Sequence, residues 1–164
     1  MDGGILVDGF GLIAGLHRLE AVKSLGNTEI EVHVVELDAL HRQLAEVDEN
    51  LCGTKLSPAE RALFTKRRKE IYLALYPETR KGVAQANGSN KAQGKGHVSE
   101  ISAFTSDTAT KTNVSRRTVE MEAARGDALS DDIQAIVGTS LDSGVELDAL
   151  AKLEHRLNFE PMLS

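Results

Sequence analysis

Two short apolar runs, Ile5-Leu6-Val7 and Phe10 to Ala14, flank Asp8-Gly9, a dipeptide suited to the positive φ angles of a tight turn. Together they predict a small β-hairpin. After Gly15 the period changes. Leu16, Leu19, Val22 or Lys23, and Leu25 recur at helical spacing, and Gly26-Asn27 supplies a C-terminal stop. Ile30, Val32 and Val34 then alternate with Glu31 and His33, predicting a short half-buried strand with His33 on its solvent face. From Leu37 the spacing Leu37, Leu40, Leu44, Val47, Leu51 lays one apolar stripe along a helix that Gly53 ends. Ser57-Pro58-Ala59-Glu60 reads as a compact helix start, with Ser as N-cap, Pro at the first helical position and Glu closing a capping box. That helix runs toward Tyr76, because Pro77 disfavours helical geometry in the residue before it. Its expected face is Leu63, Phe64, Ile71 and Leu75, with arginine stems lying along it.

Residues 82–99 hold four glycines and no large apolar residue beyond two valines, the composition of a flexible linker. His97 lies within it without a second ligand nearby, which argues against a metal role. Beyond it, Phe104 to Thr112 and Ser115 to Arg125 read as short helices separated by Asn113-Val114. Ser130, followed by Asp131 and Asp132, reads as the N-cap of another helix that Gly138 stops. Val145 to Leu157 is a last amphipathic helix, with Val145, Leu147, Leu150, Leu153 and Leu157 as packing positions. The expected organisation is therefore a mixed domain over 1–81, a linker over 82–99 and a helical region over 100–164.

The 164 residues suffice for one compact domain or two very small ones, and with 41% hydrophobic and 27% charged residues they fit neither a collagen-like nor a wholly disordered class. No apolar run approaches the roughly 20 residues of a membrane helix, and MDGGILVDGF lacks the features of a signal peptide. The expectation is no membrane and a cytoplasmic location. Cys52, the one cysteine, has no disulfide or zinc partner and reads as a buried, inert thiol. The formal charge of −6 speaks against nucleic acid until it is divided along the chain. Residues 1–53 carry 3 basic and 10 acidic side chains, residues 54–125 carry 14 and 7, and residues 126–164 carry 2 and 8, so the middle block is strongly basic. Lys66, Arg67, Arg68 and Lys69 form one run in it, and Lys111, Arg116, Arg117 and Arg125 a looser group. The run at 66–69 alone also suits a plain solvated helix face.

Three segments carry candidate chemistry. Residues 107–126 suit a helix-turn-helix: Asn113 tolerates left-handed geometry at the turn, Ala109 lets the helices cross closely, and Val114 and Val119 plug the angle. Lys111, Ser115, Arg116, Arg117 and Thr118 then stand as donors where a recognition helix begins, although the same spacing suits an ordinary helical hairpin. At the first helix, Gly15 lets an anion approach backbone amides beside His17, and Arg18 adds a bidentate contact, while a plain helix start with a surface Arg reads the same way. At the end of the 37–53 helix, Glu49 and Asn50 offer oxygen ligands suited to magnesium with a bound phosphate, a pairing also common on surfaces.

In order and spacing over about residues 5–125, these segments resemble the ParB/sulfiredoxin-like superfamily, and ParB-like proteins in particular. Gly15, Leu16, His17 and Arg18 match its Gly-x-His-Arg motif. Glu49, Asn50 and Leu51 match Glu-Asn-Leu-x-Arg, with Gly53 in place of the arginine, and Leu56-Ser57-Pro58 fits again. The resemblance implies an α+β chain: a small mixed ParB/sulfiredoxin-like domain, shortened at its start, followed by an all-helical region with a helix-turn-helix. It implies CTP on Gly15, His17, Arg18 and Asn50, magnesium held by Glu49 and Asn50, and Glu49 assisting hydrolysis. It further implies double-stranded DNA as partner, a homodimer, and a role at a nucleoid or plasmid in partition or transcription control. The competing reading is a nucleotide hydrolase or nuclease built on Arg18 and Glu49. Sulfinic acid reduction is not expected, because Leu16 stands where the sulfiredoxin motif needs cysteine.

Overall fold

The computed structural model of the chain describes residues 5–8, 11–53, 55–79 and 103–157. Strands β1 (Leu6–Asp8) and β2 (Gly11–Ala14) pair antiparallel, with Leu6 opposite Ala14 and Asp8 opposite Gly11. Gly9 and Phe10, between the strands, lie outside the described residues. Helix α1 (Leu16–Ser24) follows directly. Strand β3 (His33–Val34) then joins the other side of β1 in parallel, giving the order β2-β1-β3. The amides of His33 and Val35 donate to the carbonyls of Ile5 and Val7, both at 2.9 Å. Only His33 and Val34 of the expected alternating residues pair, opposite Leu6 and Val7, and both are exposed.

Gly15 makes the strand-to-helix corner possible. It is buried at φ +92°, and a Cβ there would stand 3.0 Å from Ile5 Cγ1 and 3.1 Å from its Cα. Helix α1 buries none of its residues, and Leu16 and Leu25, on its expected packing face, are exposed. Its period is helical, and Leu19 and Val22 on that face are only half-buried.

The rest of the described chain is helical: α2 (Ala39–Gly53), α3 (Pro58–Leu75), a 3-10 turn at Pro77–Thr79, α4 (Phe104–Thr112), α5 (Arg116–Leu129), a 3-10 turn at Ser130–Asp132, α6 (Ile133–Ile136) and α7 (Gly144–Leu157). The architecture is thus a small mixed β/α region followed by a mostly helical one. Among the described residues no helix is long and apolar enough to cross a membrane. The capping box at α3 forms as read from the sequence. Ser57 Oγ accepts from the Glu60 amide at 3.3 Å, and Glu60 Oε2 accepts from the Ser57 amide at 2.8 Å.

Helix α3 is the axis of the helical region. Along one flank Ala59 and Ala62 pack with Leu129, Ile133, Ile136 and Leu147. A second flank sets Tyr72 among Phe104, Val119 and Ala123, and a third sets Ile71 against Val47 and Leu51. Packing thus joins residues on both sides of the stretch 80–102, which includes the expected linker and His97 and lies outside the described residues. The approach of α3 to α5 is close enough to require glycine. A Cβ on Gly126 would fall 2.5 Å from the Ala62 carbonyl oxygen and 2.7 Å from Lys66 Cβ.

Two terminal expectations change. Ser130 caps the C-terminus of α5, at φ +42°, and its hydroxyl donates to the Asp127 carbonyl. It therefore does not serve as the N-cap of a helix; α6 starts after Asp132 without a side-chain cap. On α7, Leu147 is fully buried, whereas Val145 and Leu153 are exposed, because α7 rests on α3 and α5 along one narrow line.

Candidate nucleic-acid interface

Arg68 decides what becomes of the basic run. It is 1% exposed, the largest of the fully buried side chains. Its Nε donates to Asp48 Oδ1 at 2.6 Å, Nη1 to Thr108 Oγ1 at 2.7 Å and Nη2 to Asp107 Oδ2 at 2.7 Å, and its guanidinium carbon lies 5.5 Å from the centre of the Tyr72 ring. Burial alone would lower its pKa, but Asp48 and Asp107 more than offset that, so the cation stays charged above the usual arginine range. Thr108 passes the bond on to the Phe104 carbonyl. Helices α2, α3 and α4 are thereby joined through one cation. In the same run Lys66 pairs with Glu70 on its own helix and Lys69 with Asp127 of α5. Arg67 is exposed and free of ion pairs among the described residues. The run is thus largely internal wiring rather than a patch aimed at solvent.

Other cations of the basic block are committed too. Arg61 Nε donates to Glu122 Oε1 at 2.7 Å, and Thr65 donates to the other oxygen at 3.2 Å, fixing α3 to α5. Arg125 grips Asp148 with two bonds of 2.7 and 3.0 Å, fixing α5 to α7. That grip raises the Arg125 pKa and lowers that of Asp148. Lys111, expected at DNA, places its ammonium 2.6 Å from Asp48 Oδ2.

The segment 104–129 forms two helices joined by a short turn. Asn113 sits there in the left-handed region at φ +55° and ψ +40°, and the Val114 amide donates to the Ala109 carbonyl at 3.2 Å. Val119 is fully buried, and Val114 and Ala109 pack beside it against Tyr72, Phe104 and Ala123. Ser115 is the N-cap of α5: its hydroxyl accepts from the Thr118 amide at 3.1 Å and lies 2.8 Å from Thr118 Oγ1. Arg116 and Arg117, the first two helical residues, are exposed, and no ion pair among the described residues engages either. They stand at the end of α5 where unpaired amides and the helix dipole favour an anion.

The residues expected at a nucleotide are more dispersed. His17 and Arg18 are exposed on α1, and Gly15 is buried beneath it. Glu49 and Asn50 are half-buried near the end of α2, and the Asn50 amide donates to the Glu46 carbonyl at 2.9 Å. Asn50 borders a cavity of about 290 Å³ with Gln43, Glu46, Val47, Phe64, Arg67 and Ile71, a lining that includes none of Gly15, His17 and Arg18. Among the described residues no three His, Cys, Asp or Glu side chains gather as metal ligands. Cys52 is exposed rather than buried, with its thiol directed to the Lys111 carbonyl at 3.5 Å. Partial desolvation and the nearby Asp48 carboxylate push its pKa up, which keeps it a thiol.

No family model, no curated protein and no solved structure matches this chain.

Proposed function

We propose that the chain is a ParB-like DNA-binding protein in which α4 and α5 act as a helix-turn-helix. Its role would lie in plasmid, phage or chromosome partition or in transcription control. One observation carries the reading. Arg116 and Arg117 are adjacent cations at the open end of α5 that no acidic side chain among the described residues neutralises, whereas Arg61, Lys66, Arg68, Lys69, Lys111 and Arg125 are all paired. Ser115 and Thr118 hold the first turn so that both arginines face outward. Lys111 then acts through Asp48, aligning α4 with α2, rather than on a phosphate. A homodimer would offer two copies of α5 to two half-sites, in the cytoplasm at a nucleoid or plasmid. Fluorescence anisotropy with a labelled duplex tests the reading. Binding that falls at least tenfold in R116A/R117A, with the melting curve kept, supports it, and equal binding by both proteins refutes it.

The same proposal extends to CTP. Gly15 brings backbone amides within reach of a phosphate at the N-terminus of α1, with His17 and Arg18 beside them. Glu49 and Asn50 are two side-chain ligands, so a magnesium ion would take its remaining ligands from the nucleotide phosphates and water. A CTP titration that saturates with wild type and not with R18A supports this part, and no saturation in either removes it. CTP turnover lost in E49Q would favour the hydrolase reading instead.

A further inference from the structure

The outer face of α5 carries more than its two arginines. Val119, Glu122, Ala123 and Gly126 are buried, whereas Arg116, Arg117, Glu120, Met121 and Ala124 are exposed. Arg117, Glu120, Met121 and Ala124 fall at i, i+3, i+4 and i+7, so they form one stripe running down the helix from its cationic end.

Two members of the stripe are poor choices for a helix that merely faces water or merely holds phosphates. Met121 is 38% exposed and joins none of the three apolar clusters. Glu120 is exposed, with Arg116 and Arg117 four and three residues before it, yet no ion pair among the described residues uses its carboxylate. Facing a polyanion, a free carboxylate is repelled unless it meets a hydrogen-bond donor. On the major-groove edge of a duplex, cytosine N4 is the donor that Glu and Asp accept from, and the thymine C5-methyl is the apolar feature that a side chain such as Met can cover. A cationic end followed by one acceptor-only group and one flexible apolar group therefore matches a duplex edge feature by feature.

We infer that α5 reads base sequence through Glu120 and Met121. The carboxylate accepts from the amino group of a cytosine, the thioether chain packs on a thymine methyl, and Arg116 and Arg117 position the helix on phosphates. Ala124, with only a methyl group, lets the next turn of the helix lie close to the groove floor. This inference rests on the proposed DNA binding and goes beyond it, because binding driven by the arginines alone would be indifferent to sequence.

Selection of binding sites from a random-sequence duplex pool tests it, using the full chain as wild type, E120Q and M121A. Both substituted positions are on the solvent side of α5, and melting curves check that each variant folds. Wild type is expected to enrich a motif containing cytosine and thymine. In E120Q the preference for cytosine at one position should fall roughly tenfold while the rest of the motif persists, a mismatch-sized effect. Replacing the thymine by deoxyuridine, which lacks only the methyl group, should weaken wild type about fourfold, the worth of one buried methyl, and leave M121A unchanged. A motif identical in all three proteins overturns the inference. Duplex binding by wild type without any motif overturns it too, while leaving DNA binding intact. No duplex binding by wild type overturns both.

Discussion

Arg68 donates to acceptors on two other helices, and Asp48, one of those acceptors, is itself nearly as buried and also holds Lys111. Removing the guanidinium strands a buried carboxylate and leaves a cavity between α2, α3 and α4. R68A is therefore expected to lose about 3–5 kcal/mol in a urea melt; a loss below about 1 kcal/mol would show that the network relaxes onto water. The pH dependence has both signs. Asp142 accepts from the Ala59 and Gly138 amides at 2.8 and 2.9 Å. Desolvation pushes its pKa up, but the bonds from Ser57, Gly138 and Ala59 outweigh it, and Arg125 lowers that of Asp148. A carboxylate with a depressed pKa contributes stability above the ordinary value of 3.8 and loses it as pH falls through the folded value. Melting temperature should therefore drop as pH falls below about 3.8, and less steeply in D142N. At the other end, burial and the Asp107 charge push Tyr72 up to about 12. The unfolded chain then loses that proton first, so stability falls as pH rises from 10 toward 12. Y72F should flatten this alkaline limb; an unchanged limb would place its cause elsewhere.

At the scale of elements, the turn at Asn113 is the joint on which the orientation of α5 depends. N113A forces a Cβ-bearing residue without a local hydrogen-bonding side chain into the left-handed region and should cost about 1 kcal/mol, whereas N113G should be nearly neutral. Equal losses from both would mean that the asparagine side chain, not its backbone, does the work. This turn and the α3 start were legible in sequence because their determinants are local: Asn113 sets its own backbone, and Ser57, Pro58 and Glu60 lie within one turn of one another. What the sequence concealed is tertiary. Arg68 meets partners 20 and some 40 residues away, so nothing in Lys66-Arg67-Arg68-Lys69 distinguishes the buried member. A helical spacing offered a hint, since Arg68 follows Thr65 and Ala62 at three-residue intervals along a buried line of α3. Conversely, Leu16, Leu25, Val145 and Leu153 have the periodicity of core residues and stay exposed. Periodicity states that a face is apolar, and only the fold states whether another element covers it.

For the whole molecule, the charge distribution is the link between fold and proposed function. Among the described residues of the basic block 54–125, Arg61, Lys66, Arg68, Lys69, Lys111 and Arg125 are paired with acidic side chains, some of them in the acidic flanks, such as Asp48, Asp127 and Asp148. The acidic flanks thus take up part of the block's charge, and among the described residues Arg116 and Arg117 at the start of α5, like Arg67 on α3, enter no ion pair. If Arg116 and Arg117 meet a duplex as proposed, a chain of net charge −6 would hold it at one end of one helix without a general attraction to polyanions. The arrangement of the residues expected at a nucleotide was not legible in sequence, since Asn50 borders a cavity whose lining includes neither Gly15 nor Arg18.

The salt dependence of binding reports whether Arg116 and Arg117 neutralise duplex phosphates. Every phosphate that a variant no longer neutralises should lower the slope of log K against log salt by about 1. R116A/R117A should therefore bind more weakly, with a slope smaller by about 2 than wild type. Parallel salt-dependence lines of equal affinity for the two proteins would contradict the account.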